Sequence, residues 1–205
     1  MNQRNVLLLV LMVALIALAG CSCKEYEEQI MALDAQIADL QSQLGEREAT
    51  LAECEDLTKD LREDIQDVKM EKAVLVEQMN EVVMITLDES VAFHSSQWQV
   101  LDTMVPALEV LANNIRQHPD WNVYVEGHTD DKKILEEFQQ YYPSNWELGA
   151  FRSGAIVRYL TNELDLPSER FAVVSYGPFH PIASNETPEG RAENRRVTLL
   201  LHKAE

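Results

Sequence analysis

Three short clusters carry residue types able to do chemistry: Gly127-His128-Thr129-Asp130, Asn145-Trp146-Glu147-Leu148 leading to Arg152, and Asn194-Arg195-Arg196-Val197. An acid opposite an arginine matches the two charges of an amino-acid end. The carboxylate pairs with an ammonium, and the guanidinium binds a carboxylate through two parallel hydrogen bonds. Ser144 and Glu147 have capping-box spacing, with Asn145 as an alternative cap, so a helix begins there. The free N–H groups and partial positive charge of its first turn attract carboxylates. Arg152 stands seven residues after Asn145 and so on nearly the same helix face. Spacing alone leaves two readings open: a grip on a zwitterion, or an Asp130–Arg152 salt bridge that pins loop to helix.

Other chemistry fits less well. His128, Asp130 and Asp131 crowd one short stretch, whereas a metal site needs three or four convergent ligands. His94, Ser95 and Ser96 are neighbours in sequence, but a catalytic triad is a spatial arrangement, and no serine sits in a nucleophile elbow. The reading is therefore a binding protein, not an enzyme, with no metal and no cofactor. The chain has 205 residues and a formal net charge of −18. That balance argues against nucleic acid, whose phosphates call for Lys and Arg, and against charge-driven docking on an anionic lipid surface.

Residues 83–205 hold the elements that must position these clusters. Val83–Leu87 reads as a strand. Leu101, Val105, Leu108, Leu111, Ala112 and Ile115 fall at helical spacing, and His118-Pro119 ends that helix. Trp121–Glu126 alternates as a strand, Asp131–Pro143 is a polar loop, and Asn145–Leu164 is helical. Strands follow at Phe171–Tyr176, stopped by Gly177-Pro178, and at Arg196–His202. The order βαβαββ predicts an α+β domain, a mixed sheet with helices packed on it.

Ahead of it, residues 26–82 repeat in heptads, with Ile30, Ile37, Leu44, Leu51, Thr58, Ile65, Lys72 and Met79 at a and Leu33, Leu40, Arg47, Cys54, Leu61, Val68, Leu75 and Val82 at d. This predicts a coiled-coil stalk, about 85 Å long if fully helical, that forms a parallel homodimer. A single docked helix or a spacer is the competing reading. Cys54 lies on the seam, as an interchain disulfide or a buried thiol. Residues 1–20 have the form of a signal peptide: Arg4, an apolar run Val6–Ala19, then Leu18-Ala19-Gly20-Cys21, a site for lipid on the Cys21 thiol, with residues 21–25 as the lipidated linker. Acyl chains on Cys21 would hold the protein on a membrane, at about 0.8 kcal/mol per buried CH₂.

Residues 83–205 resemble the OmpA-like peptidoglycan-binding domain, a family that includes peptidoglycan-associated lipoproteins, OmpA proteins and the flagellar stator protein MotB. The resemblance rests on Val125-Glu126-Gly127-His128-Thr129-Asp130, on Ser144–Leu148 through Arg152, on Tyr176-Gly177 and Pro181, and on Asn185–Arg191 and Asn194–Val197. Dispersed motifs in the right order are a specific signal. The resemblance implies non-covalent binding of the diaminopimelate residue of the stem peptide, without hydrolysis. It assigns Asp130 and Arg152 to the amine and carboxylate, and Thr129, Asn145 and the backbone near Leu148 to supporting contacts. Arg195 or Arg196 would shape the pocket and balance Asp130. With the signal and stalk, it implies a lipoprotein of the outer membrane facing the periplasm. The alternatives are a MotB-like stator component or a coiled-coil adaptor. Gly149 and Ser153 replace the usual Ser and Ala of the family, Ser96 replaces a frequent Gly, and Lys132-Lys133 adds basic charge after Asp130. Gly149 removes a hydroxyl from the helix and lowers its propensity.

Overall fold

The computed structural model describes residues 3–71, 73–94 and 98–204, and for residues 3–23 and 25 the backbone alone. The side chain of Cys21, the expected lipid acceptor, and Ser96 lie outside the described part. The chain forms two compact units, residues 1–49 and 50–205. Helix α1, Gln3–Asp67, makes up the described part of the first and continues into the second. In the first unit the seam residues Ile30, Leu33, Ile37, Leu40 and Leu44 are all more than half exposed.

The second unit corrects the expected boundaries. Cys54, Leu57, Leu61 and Ile65 of α1 are buried in the same core as the sheet. This stretch is also clamped at its polar edge. Arg62 Nε donates to the Val76 carbonyl at 3.0 Å, Asn114 Nδ2 to Asp64 Oδ2 at 2.9 Å, and Lys203 Nζ to Glu53 Oε2 at 2.8 Å. The helix stops at Asp67, where the chain turns through Lys69 at φ 58°. Val74–Met79 is not helix but a strand, β1. The stalk therefore does not run to residue 82, and the domain begins near Thr50, not Val83. Steps of three and four suit a helix facing a sheet as well as a helix facing another helix, so the repeat continued past the change of partner. Leu75, Met79 and Val82 kept the heptad spacing, while Val74 and Val76 turn into the core with the period of a strand.

Cys54 belongs to this core and not to an exposed seam. It is a free, buried thiol, and burial, reinforced by the nearby Glu81 and Glu53 carboxylates, raises its pKa to about 11. A disulfide between two copies through Cys54 would require the core to open.

β1 turns tightly into β2, Val82–Asp88, through Asn80 and Glu81, with Asn80 at φ 56°, as a two-residue hairpin favours. The remaining strands are β3, Trp121–His128, β4, Phe171–Gly177, and β5, Arg196–Lys203. Their order is β1-β2-β5-β3-β4, antiparallel throughout except for the parallel β3–β4 pair. The helices are α2, Glu89–Ala92, α3, Val105–Gln117, α4, Asn145–Arg158, and α5, Pro188–Asn194. Alternate residues Val83, Ile85, Leu87, Val123, Val125, Val197, Leu199 and Leu201 turn to one face and join the apolar sides of α1, α3 and α4 in a single core. The fold is α+β with a mixed five-stranded sheet. The strands and helices of the βαβαββ order are present, with β1 added before them, α2 after the first of the predicted strands and α5 before the last strand.

Helix α4 crosses β3 at two glycines. A Cβ on Gly127 would collide with the Gly149 carbonyl group, and a Cβ on Gly149 would meet Ser175 Oγ and lie 3.0 Å from the Gly127 oxygen. Gly149 therefore faces the sheet, not a ligand. Its lack of a side chain lets helix and strand touch backbone to backbone.

Candidate functional site

The parallel pairing of β3 with β4 carries Thr129 and Asp130 out of the sheet. The Thr129 N–H donates to the Gly177 carbonyl at 2.9 Å, and Thr129 Oγ1 to the Asp130 carbonyl at 2.9 Å. Asp130 then folds back on its own loop, Oδ1 accepting from the Lys132 N–H at 3.0 Å, an Asx-type turn. Ser144, not Asn145, is the cap of α4. Its Oγ accepts from the Trp146 N–H at 3.2 Å, and Glu147 Oε2 accepts from the Ser144 N–H at 2.9 Å. That division leaves the Asn145 amide to hold the loop, donating to the Lys132 carbonyl at 2.8 Å and the Asp130 carbonyl at 3.3 Å.

Asp130 and Arg152 do not meet directly. A chain of alternating charge joins them: Arg152 Nη2 pairs with Glu89 Oε1, Glu89 Oε2 accepts from Arg195 Nε at 2.7 Å, and Arg195 Nη1 donates to Asp130 Oδ2 at 2.9 Å. The simple salt bridge between Asp130 and Arg152 is thus replaced by a four-residue relay. Glu89 is delivered by α2, a single turn capped by Asp88, whose Oδ1 accepts from the Ser90 N–H at 2.7 Å. Sequence reasoning missed Glu89. Its only signal was an Asp at the end of a strand opening a helical turn, a pattern that does not say which acid goes inside.

The relay grades from core to rim. The side chain of Arg152 is 3% exposed and that of Arg195 31%. Burial lowers the Arg152 pKa from its usual value, and the Glu89 carboxylate opposes that shift. At Arg195 burial also disfavours the charge, but hydrogen bonds to Asp130 and Glu89 outweigh it and the pKa rises. Both guanidinium groups remain charged. The Phe93 ring lies 5.7 Å from the Arg152 guanidinium carbon, within reach of a cation–π contact.

A cavity of about 530 Å³ opens on the relay, of the size that holds a small polar ligand. Asp130, Arg152, Thr129, Asn145, Leu148 and Arg195 all line it, with Glu89. The Leu148 N–H is engaged by the Ser144 carbonyl within the first turn of α4, so this residue offers its side chain. Arg196 does not line the cavity. Its guanidinium donates to the Asn194 and His180 carbonyls, each at 3.3 Å. Of the two neighbouring arginines, Arg195 is the one that balances Asp130.

A mixed sheet carrying this acid–arginine relay at the end of its parallel pair defines a recognisable class. Residues 92–195 match the OmpA family, and the chain belongs to that family. Motility protein B of Bacillus subtilis is 32% identical over 150 residues, 73% of this chain and 56% of its own length. Peptidoglycan-binding protein ArfA of Mycobacterium tuberculosis is 33% identical over 104 residues, 49% of this chain and 29% of its own length. Among solved structures, the cell wall anchor of the T6SS from Pseudomonas aeruginosa superposes with a TM-score of 0.61 at 29% identity, covering 70% of this chain and 96% of that one. The chain spans about half the length of the first curated relatives it matches.

Proposed function

We propose that this chain binds peptidoglycan non-covalently, gripping the zwitterionic end of diaminopimelate in the stem peptide, and tethers a membrane of the envelope to the wall. The observation that carries the reading is the relay along the cavity. The ligand carboxylate meets the guanidinium side, and its ammonium meets Asp130. The Asp130 carboxylate accepts one hydrogen bond on each oxygen within the protein and keeps further lone pairs for a ligand. The names of two relatives, a peptidoglycan-binding protein and a cell wall anchor, support the same reading. The role is attachment without hydrolysis.

The test is retention on purified peptidoglycan. Asp130→Asn keeps the shape of the loop and removes the charge, and Arg152→Lys keeps a cation but loses the fork. Each is expected to weaken retention by about tenfold or more, because hydrogen bonds to charged groups are worth about 1.5–3 kcal/mol. Unchanged retention in both variants, with native melting curves, would end the assignment.

The anchoring half of the proposal is a diacylglyceryl group on Cys21 that holds the chain on the outer membrane, facing the periplasm. The exposed heptad seam of α1 would pair two copies as a parallel homodimer. A second reading, a motor-associated component of the inner membrane, draws support from the likeness to motility protein B. Ion passage in such a component needs an ionisable group within the apolar segment, and residues 6–20 contain no Asp or Glu. Cells fed radioactive palmitate should label the wild-type chain and not Cys21→Ala. An unlabelled wild type would sink the lipoprotein reading.

A further inference from the structure

Four cationic side chains line the cavity, Lys132, Lys133, Arg152 and Arg195, against two carboxylates, Glu89 and Asp130. A surplus of two positive charges there runs against the composition of a chain with net charge −18. The two kinds of cation are also used differently. Both arginines are engaged by Glu89 and Asp130. Lys132 and Lys133 are exposed on the loop after Asp130, and among the described residues neither amine takes part in a salt bridge. The position of Lys132 is nonetheless fixed. Its N–H donates to Asp130 and its carbonyl accepts from Asn145, so the side chain starts from a pinned point at the cavity rim while its amine stays in water.

A zwitterionic amino-acid end is neutral as a whole. The relay can match it charge for charge, which leaves the lysines to meet something else on the same ligand. We infer that the site selects stem peptides whose neighbouring carboxyl groups are ionised over those in which they are carboxamides, with Lys132 and Lys133 as the residues that discriminate. The inference rests on the diaminopimelate grip proposed above. Beyond the zwitterion, an N-acetylated alanyl-γ-glutamyl-diaminopimelate carries two carboxylates, on the glutamyl α-carbon and at the C-terminus. Its net charge of two negative complements the two surplus positive charges of the cavity. Conversion of both groups to carboxamides removes that match without changing the zwitterionic end. Because both amines are exposed, each contact is screened and worth a fraction of a kcal/mol, so the preference is a modest one, about fivefold for the pair.

The experiment is a calorimetric titration of the full-length chain with the N-acetylated tripeptide in two forms, diacid and dicarboxamide. The wild type is expected to bind the diacid about fivefold more tightly. In Lys132→Gln/Lys133→Gln the diacid should fall to the level of the dicarboxamide. Equal affinity of the wild type for the two forms overturns the inference and leaves the diaminopimelate grip standing, and so does a preference that survives in the double variant. Absence of binding to either form overturns the grip itself, and the inference with it.

Discussion

Glu89→Ala is expected to lower the stability of the domain by about 3–5 kcal/mol, the usual cost of breaking a buried ion pair from one side. Glu89 is the only residue of the relay that touches both guanidinium groups. Arg152, its deeper partner, has almost no contact with water. Loss of the acid removes the carboxylate that opposes the cost of burying this cation. Arg195 is the more exposed of the two and retains Asp130, so the larger share of the loss falls on the buried Glu89–Arg152 pair. Urea unfolding at neutral pH measures the effect. Glu89→Gln, which keeps an acceptor but loses the charge, should fall between wild type and Glu89→Ala. A loss below about 1 kcal/mol in Glu89→Ala would mean that the relay is solvated and structurally idle.

The second large effect is expected at Gly127. Helix α4 lies on β3 at this point with no side chain between them, and a Cβ on Gly127 would run into the backbone of Gly149. Backbone cannot rotate aside as a side chain can, so Gly127→Val must push α4 off the sheet. Overpacking of this kind costs about 3 kcal/mol. The displacement would also carry Asn145, Leu148 and Arg152 away from Asp130, so retention on peptidoglycan should fall with stability. Gly149→Ala is the informative contrast. Its Cβ meets the Ser175 hydroxyl, which can turn away, while the Gly127 oxygen stays at 3.0 Å. The helix gains about 1 kcal/mol of propensity from the exchange. Thermal unfolding of the two variants should therefore differ widely. Similar melting temperatures would refute the close-crossing account.

These two positions mark where the sequence was easy to read and where it was not. Gly127 belongs to a motif, and the strand around it alternates cleanly from Trp121 to Val125. The start of α4 was legible for the same local reason, since Ser144 and Glu147 announce a capping box and the structure forms one. Asp130, Arg152, Thr129, Asn145 and Leu148 were legible as a set, and the cavity brings them together. What failed was long-range. Glu89 reaches Arg152 across 63 residues of chain and Arg195 across 106, and nothing local distinguishes it from the other acids. The choice between Arg195 and Arg196 depends on which way adjacent side chains leave β5 at its first residue, where the alternation has no preceding register. The heptads misled for a different reason. An apolar stripe states that a helix face is covered, but not by what, and from Cys54 to Ile65 the cover is the core of the same chain.

That last point bears on how the molecule would carry load. In the proposed tether, tension on the domain would enter through the helix turns from Cys54 to Ile65, which are embedded in it. Cys54, Leu57, Leu61 and Ile65 are held by the core, and Glu53, Arg62 and Asp64 are tied to β5, β1 and α3. Within residues 50–205, strain entering along this helix would not gather on a single strand. The force would instead be spread in shear over several turns of packed helix, and the attachment would yield only when many contacts fail together.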